Sequence, residues 1–412
     1  MNIVINSQVV LSRTPEGPLA AYLDSFAKAL SVLGYAPSSI HRQVLLAACF
    51  SRWLKQRGMG LRDVTCEHPA RYLRCRTQRL RPARGDAAAL KHLIEFLRHE
   101  GLVSTPKCAV PRLTPVDRCT QAYEQYLREA RALAKPTIVN YVPFIRDFLV
   151  DCFGDGSVVL SRLRAHDVVG FVQRQASRLH RRQSKRLATA LRSFLGYARF
   201  RGEVVLDLSA AVPIVPNWSM TSIPRAIAPD AVRELLTSID RGTATGRRDY
   251  AILLLLARLG LRSGAIAKLK LDDIDWNVGQ LTVCGKGGQR NALPLPMDVG
   301  KAIAAYLKAG RPQSKCRCVF LRAKAPVRGF QGSFAIGSIV RHSLQRCGID
   351  APTTGTHQFR HGLATEMLRQ GASLGEIGDL LGHRHPQTTK IYTKVDILAL
   401  RKLAMPWPGG GK

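Results

Sequence analysis

Six polar side chains interrupt apolar segments in the C-terminal part of the chain, and together they form a chemically distinctive set: Arg262, Lys286, His357, Arg360, His383 and Tyr392. The set contains two guanidiniums, one ammonium, two imidazoles and a phenol, without a carboxylate. His357 and Arg360 are three residues apart, so in a helix they project from the same face. This composition favours a phosphodiester substrate over a peptide or a sugar.

Each of these groups has a use in phosphoryl transfer. Two arginines can neutralise the nonbridging oxygens through paired hydrogen bonds as charge builds in the transition state. A phenol that attacks phosphorus forms a covalent phosphotyrosine, which divides one difficult transfer into two steps. An imidazole can accept the phenolic proton, and a lysine can protonate the departing sugar oxygen. The sequence offers no acidic cluster for catalytic Mg²⁺, which argues against a metal-dependent nuclease.

The order and spacing of the six residues resemble those of the catalytic domain of the tyrosine recombinases, the phage integrase family. The separations are 24 residues from Arg262 to Lys286, 23 from Arg360 to His383 and 9 from His383 to Tyr392. The resemblance covers about residues 222–405 and continues more weakly into 116–210. The matching strings are Gly260-Leu261-Arg262, Gly285-Lys286-Gly287, His357-x-x-Arg360-His361, Leu381-Gly382-His383 and Tyr392.

The resemblance implies how the phosphate is held. Arg262 and Arg360 would bind the scissile phosphate, and His383 would donate a hydrogen bond to a nonbridging oxygen. His357 would serve in proton transfer and phosphate contact.

The resemblance also implies the reaction. Tyr392 would be the nucleophile that forms a 3′-phosphotyrosyl link, and Lys286 would be the general acid for the 5′-hydroxyl leaving group. The implied activity is that of a site-specific recombinase or integrase that cleaves and rejoins duplex DNA, for integration or transposition of a mobile element. The family needs neither ATP nor a divalent metal, so we expect no cofactor and no metal site.

One position departs from the family's pattern. Many relatives have Glu or Asp three residues after the first catalytic arginine, where this chain has Ala265. Arg262 then has another partner, or the enzyme is slow, or the protein binds DNA without cutting it. Because all six principal positions are occupied, the sequence favours an active enzyme.

Two other enzyme classes are less well supported. His357 and His361 have the i, i+4 spacing of a zinc protease, but Gln358 stands where that motif has its glutamate base. A type IB topoisomerase shares the phosphotyrosine chemistry and relaxes DNA without joining two sites. The Leu381-Gly382-His383 string and the helical segments before the catalytic region favour recombination.

The overall charge agrees with a nucleic-acid partner. The 412 residues include 62 Lys and Arg against 29 Asp and Glu, so the net charge is +33. Hydrophobic residues make up 46% of the chain, which excludes a disordered polycation. A folded protein with this charge repels itself unless it lies beside a polyanion, which favours double-stranded DNA. An anionic membrane is a weaker alternative, because no apolar run approaches the length of a spanning helix.

Proline-rich breaks divide the chain into three regions. The breaks lie near 104–116 and 207–228, and they predict domains over 1–110, 116–210 and 222–405, with a tail over 406–412. Residues 1–115, 116–221 and 222–412 have net charges of +10, +7 and +16, so no single tail holds the excess. The expected fold is mainly α with a small β-hairpin or sheet. The resemblance implies a catalytic domain preceded by one or two helical, SAM-like core-binding bundles.

The first two regions predict a duplicated helical bundle. At an offset of 101 residues, Leu90 and Leu93 correspond to Leu191 and Phe194, and the offset shortens to 98 where Phe50 corresponds to Phe148. Spacings of three and four place such residues on one helical face. The alternative is chance similarity between two small bundles.

Basic residues in both bundles are candidates for contact with DNA phosphates. The first bundle has a run of arginines from 71 to 84, and the second has a matching run. A basic run is often only a solvated face, but two in equivalent places favour phosphate contact. The residues predicted to bind DNA are Arg174, Arg178, Arg181, Arg182, Lys185 and Arg186.

The catalytic region is expected to be mixed. A buried helix is predicted over 249–259, strands over 275–283 and 291–295 around a Gly-Lys-Gly-Gly turn, and a helix over about 361–370. A further helix over 395–403 either docks on a neighbouring protomer, as is common in the family, or closes its own core.

The remaining expectations concern cellular setting and assembly. No secretory signal is visible at the N-terminus, and ten cysteines without a C-x-x-C pair are typical of reduced thiols. We therefore expect a cytoplasmic, nucleoid-associated protein with no membrane partner. The resemblance implies a homotetramer on two DNA sites, with sister recombinases as a further option.

Overall fold

The computed structural model describes residues 3–5, 9–11, 14–65, 67–78, 85–103, 113–154, 156–215, 224–285, 288, 290–383 and 385–395, with only the backbone at 3–5, 9–11 and 395. The chain divides into two compact units. The larger unit contains residues 1–106 and 222–412, and the smaller contains 107–221. The predicted tail over 406–412, the predicted helix beyond 395 and the interior of both predicted breaks (104–112 and 216–223) lie outside the described residues.

The N-terminal part of the larger unit is a bundle of four helices that follows a short antiparallel hairpin. A one-turn 3₁₀ helix at Leu61–Asp63 separates the second and third helices. Phe26, Phe50 and Leu93 are almost completely buried between the helices. The elements are β1 (Ile3–Ile5), β2 (Val9–Leu11), α1 (Leu23–Val32), α2 (Pro37–Lys55), α3 (His68–Thr77) and α4 (Asp86–His99).

The smaller unit is a second four-helix bundle. Its first helix begins at a capping box, in which Thr114 Oγ1 accepts a hydrogen bond from the backbone N–H of Asp117. Aromatic residues fill its core, and the rings of Tyr123 and Phe194 meet edge to face at 5.2 Å. The elements are α5 (Pro115–Glu129), α6 (Lys135–Phe153), α7 (Ala165–Ala176) and α8 (Arg181–Phe200), with a 3₁₀ helix at Leu160–Arg162.

The two bundles share one order of elements. Each has two helices, a 3₁₀ turn and two further helices, and the first bundle has another 3₁₀ turn at Ala20–Tyr22 before its first helix. The pairs of residues matched in sequence occupy equivalent places. Phe50 and Phe148 are buried on the second helix of each bundle, and Leu93 and Phe194 on the fourth. Each fourth helix is followed by a glycine in the left-handed conformation, with φ of +70° at Gly101 and +72° at Gly202.

The catalytic part of the larger unit is mainly helical. The predicted buried helix is α10, in which every side chain from Ala251 to Leu256 is buried, so this stretch of the helix is enclosed on all sides. The helices of this part are α9 (Pro229–Thr237), α10 (Ala244–Leu259), α11 (Ser263–Lys268), α12 (Met297–Ala309), α13 (Ser333–Cys347), α14 (His357–Arg369), α15 (Leu374–Leu381) and α16 (Pro386–Thr389), followed by a 3₁₀ helix at Lys390–Val395.

The small sheet has three antiparallel strands: β3 (Ile274–Asp275), β4 (Gln280–Cys284) and β5 (Arg290–Pro294). The prediction of a single strand over 275–283 was therefore wrong. The carboxylate of Asp275 accepts hydrogen bonds from the backbone N–H groups of Asn277 and Val278, and this turn ends the first strand. The pairing of Val283 with Asn291 agrees with the predicted hairpin around residue 286.

Within the larger unit, the first bundle touches the catalytic part. The backbone N–H of Val327 donates a hydrogen bond of 2.8 Å to the carbonyl of Leu33, at the turn between α1 and α2. Among the described helices of the chain, none combines the length and apolarity that crossing a bilayer requires.

Candidate active site

Arg360 ties three segments of the catalytic part together. It lies in the first turns of α14 and is only 6% exposed. Its guanidinium donates to the carbonyl of Gly260 at 2.9 Å and to the carbonyl of Leu381, so it joins the ends of α10 and α15. Burial and the positive charge of Arg262 lower its pKa to about 10. A buried guanidinium beside a second one is costly unless an anion offsets both charges.

Gly260 makes this arrangement possible. It ends α10 with φ of +57°, a left-handed conformation that favours glycine. A Cβ at this position would lie 2.9 Å from Cδ2 of Leu381, which is too close. Arg262 follows two residues later and caps the start of α11, so the Gly260-Leu261-Arg262 string places one arginine beside the other.

The three histidines of the region converge on the same place. His357 and His361 lie one turn apart on α14 with ring centroids 6.4 Å apart. His383 follows Gly382 at the end of α15, and its Nδ1 lies 2.8 Å from Oγ1 of Thr389. Burial together with the charges of Arg360 and Arg262 lowers the pKa of His357, and it lowers that of His383 to about 4. These imidazoles are therefore neutral at pH 7.

Tyr392 completes the group. It lies in the terminal 3₁₀ helix, is 1% exposed and packs against Ala364, Ile377 and Leu381. Its ring is parallel to that of His383 at a centroid distance of 6.5 Å. Burial raises the pKa of Tyr392, whereas the charges of Arg360 and Arg262 act in the opposite direction.

The site is positively charged. The charges that act on the described site residues come from Arg262 and Arg360, from the neighbouring histidines and from Tyr392, and no carboxylate is among them. Two guanidiniums with neutral imidazoles around them favour a small, doubly hydrogen-bonding anion such as a phosphodiester. Across the described residues, no cluster of three or more His, Cys, Asp or Glu side chains could hold a metal ion.

Lys286 lies outside the described residues, but the described strands β4 and β5 bracket it. Asn291 of β5 approaches the site, since a Cβ on Gly382 would lie 2.6 Å from its Nδ2. In the described part of the chain, Arg262 has no carboxylate within ion-pair distance, and the residue three positions after it is Ala265.

The basic residues predicted to bind DNA lie in the second bundle, in the smaller unit. All six are exposed, at the end of α7, in the loop after it and on the first turns of α8. Arg174 forms an ion pair with Asp151 of α6, so its charge is already partly neutralised. The other five residues predicted to bind DNA are Arg178, Arg181, Arg182, Lys185 and Arg186.

Comparison with known proteins identifies the family. The model of the phage integrase family matches residues 225–397, and that of the phage integrase N-terminal SAM-like domain matches 120–202. A protein of Sinorhizobium fredii (strain NBRC 101917 / NGR234) named as an integrase/recombinase, y4rA, is 58% identical over 99% of this chain and 99% of its own length. The chain belongs to the phage integrase family. It is a tyrosine-type recombinase, an enzyme of DNA strand cleavage and rejoining.

More distant proteins agree with this assignment. The tyrosine recombinase XerD of Listeria innocua (serovar 6a, strain ATCC BAA-680 / CLIP 11262) is 33% identical over 58% of this chain and 80% of its own. The crystal structure of XerH recombinase bound to a palindromic difH substrate has a TM-score of 0.55 and 18% identity, covering 75% of this chain and 93% of that one. The predicted fold is confirmed: a helical bundle precedes a mainly helical catalytic domain that contains a small sheet.

Two residues of the site had no role in the sequence prediction. His361 belongs to the quoted motif, yet the structure places its Nδ1 3.1 Å from Oη of Tyr392. Thr389 contacts His383 and is 2% exposed. The i, i+4 spacing of His357 and His361 indicated a shared face, but nothing in the sequence showed which histidine faces the tyrosine.

Proposed function

We propose that this recombinase cleaves duplex DNA by attack of Tyr392 on a scissile phosphate, with a 3′-phosphotyrosyl intermediate. Arg262 and Arg360 bind the nonbridging oxygens, and His357 and His383 contact the same phosphate. The observation that supports this most is the convergence of two guanidiniums, neutral imidazoles and a phenol around one point, where none of the described carboxylates contributes to the charge.

Lys286 is proposed as the general acid that protonates the 5′-oxygen. The pairing of β4 with β5 supports this role, because the hairpin that contains residue 286 has Asn291 against the segment that holds His383. Strands β4 and β5 flank residue 286 in the sequence, so a lysine between them would be available to a leaving oxygen at this site.

The wider function is proposed on the same basis. The recombinase would integrate or transpose a mobile DNA element, which agrees with the name of its relative from Sinorhizobium fredii. Both bundles would hold the duplex, with the first a duplicate of the SAM-like second, and the shared order of their elements supports that relationship. Two sites would be joined by a homotetramer, with or without sister recombinases, in the nucleoid of the cytoplasm.

The decisive experiment is a trap for the covalent intermediate. Nicked duplexes tiled across the DNA that flanks the gene are incubated with the protein in EDTA, since the proposed step needs no metal. The nick lets the short 5′-hydroxyl strand diffuse away after cleavage, so a covalent protein–DNA adduct accumulates. We expect wild-type protein to form the adduct and Tyr392→Phe to form none.

Binding and cleavage must be measured on the same duplexes. Tyr392→Phe should retain the affinity of the wild type for DNA, because the substitution removes one hydroxyl. Wild-type protein that binds one duplex tightly and never forms an adduct would instead support a DNA-binding protein without catalysis. That outcome would agree with Arg262 having no ion pair to any described carboxylate.

A further inference from the structure

The phenol of Tyr392 has a histidine partner that the proposed roles leave unused. Nδ1 of His361 lies 3.1 Å from Oη of Tyr392, and the two ring centroids are 5.7 Å apart. Among the described residues, His361 is the one hydrogen-bond partner of the Tyr392 hydroxyl. Because Tyr392 is buried and its pKa is raised, the phenol is protonated at pH 7 and needs an acceptor before it can attack phosphorus.

His357 is less well placed for that task. It lies one turn nearer the start of α14, and the charges that act on it are those of Arg360 and Arg262. Its surroundings are those of a phosphate-binding group. His361 is the histidine of this helix that is in hydrogen-bond contact with the nucleophile.

The protonation state of His361 suits a proton acceptor. Burial, followed by the charges of His357 and Arg360, lowers its pKa below the ordinary value of 6.5. The neutral ring has one acceptor nitrogen, so a phenol that donates to Nδ1 requires the proton of the ring to lie on Nε2.

We propose that His361 is the general base that accepts the proton of Tyr392 during DNA cleavage, a role that rests on the proposed function of the site. The Oη–H bond breaks as Oη bonds to phosphorus, and the proton moves to Nδ1. The bond from phosphorus to the 5′-oxygen breaks, and that oxygen takes a proton from Lys286. In the rejoining step, His361 returns its proton to the departing phenol.

The charges around His361 explain why it becomes basic only when DNA is bound. The groups that face it are His357 and Arg360 from α14, His383 from the end of α15, and Tyr392. All are neutral or positive, and they disfavour an imidazolium. A scissile phosphate between the two arginines adds negative charge to the site and offsets that repulsion, so the base gains strength as substrate binds.

The first test needs no DNA. Long-range ¹⁵N–¹H correlation spectra of histidine-labelled protein report the tautomer of each neutral ring, and His361→Gln assigns the signal. We expect the Nε2–H tautomer with Nδ1 as acceptor. The Nδ1–H tautomer would mean that the ring donates to the phenol, and would overturn the proposal.

The second test compares adduct formation by His361→Ala and the matched helix variant His357→Ala. Loss of a general base lowers the cleavage rate about 10²- to 10⁴-fold. In His361→Ala the rate should then rise about tenfold per pH unit above neutrality, because only the ionised phenol attacks, and added imidazole should restore part of the rate. His357→Ala should be slow but keep the pH dependence of the wild type.

A substrate with a 5′-bridging sulfur separates attack from departure, because a thiolate leaves without a general acid. The sulfur should restore cleavage to Lys286→Ala and leave His361→Ala slow. If His361→Ala forms the adduct at the wild-type rate and only His357→Ala is slowed, the role of His361 is refuted. The proposed function would remain intact. No Tyr392-dependent adduct from wild-type protein on any tiled duplex would refute both.

Discussion

The arginines of the catalytic part and those of the second bundle have opposite environments. Arg360 is 6% exposed and is held by two backbone carbonyls, whereas Arg182 at the start of α8 is exposed to solvent. A buried guanidinium is fixed in place and lies in surroundings of low polarity, where its charge acts strongly on a neighbouring anion. An exposed one is screened by salt and water.

This difference separates two uses of positive charge in one chain. Fixed, buried arginines can stabilise charge that develops during the reaction without moving, which is how active sites lower barriers. Exposed arginines that contact DNA phosphates would contribute affinity by releasing counterions, whatever the DNA sequence. The net charge of +33 therefore includes buried arginines at the candidate active site and exposed arginines that are predicted to bind DNA.

Removing the buried charge of Arg360 should give the largest decrease in the rate of DNA cleavage. Arg360→Ala removes a phosphate ligand and should lower the rate of adduct formation by about 10³-fold, as for loss of a fixed oxyanion donor. The affinity for DNA should change much less than the rate of adduct formation. The measurement is adduct formation at saturating DNA, with Arg182→Ala as the exposed counterpart.

Stability must be followed in the same variant. Arg360→Ala leaves the carbonyls of Gly260 and Leu381 without this donor, at a cost of about 1–3 kcal/mol in the free energy of unfolding. Urea unfolding measures this directly. If folded Arg360→Ala cleaves within tenfold of the wild type, the buried arginine serves structure alone.

A smaller decrease in the cleavage rate is expected for substitutions of Thr389. Thr389→Val keeps the shape of the side chain and removes the hydroxyl that contacts Nδ1 of His383. One such hydrogen bond contributes about 1 kcal/mol, so the cleavage rate should fall roughly fivefold through loss of orientation of His383. Thr389→Ser retains the hydroxyl and is the control, and equal rates in both variants would show that the contact does not matter.

The smallest effect is expected on the second bundle. Arg182→Ala should reduce the slope of log affinity against log salt by about 1 if this arginine contacts a phosphate. Arg174→Ala should reduce it less, because Asp151 already pairs with Arg174. Binding isotherms at several salt concentrations measure both slopes, and cleavage at saturating DNA should stay the same. A larger change for Arg174 would reverse their predicted order.

The fold was predictable wherever local patterns decide it. The apolar run from Ala251 to Leu256 predicted a buried helix, and α10 is that helix. The strand over 275–283 was mispredicted because Asp275 uses its carboxylate to form a turn, a local hydrogen bond that apolar alternation does not register.

Among the described residues, the sequence predicted which side chains lie near one another better than it predicted their contacts. The spacing of the motifs was enough to group Arg262, Arg360 and Tyr392 in one site. It did not show that His361 touches the phenol, because that contact depends on how the 3₁₀ helix after α16 lies against α14. Such long-range placement is decided by packing rather than by sequence spacing.

Gly260 has a consequence for the genetics of this enzyme. Every missense change at this codon adds a Cβ that meets Leu381, in a backbone conformation that other residues avoid. The changed proteins should lose the alignment of Arg360 and keep the DNA affinity that is proposed for the two bundles. Produced in the same cell as wild-type enzyme, they would occupy recombination sites without processing them, so alleles at Gly260 are expected to be dominant inhibitors rather than recessive losses.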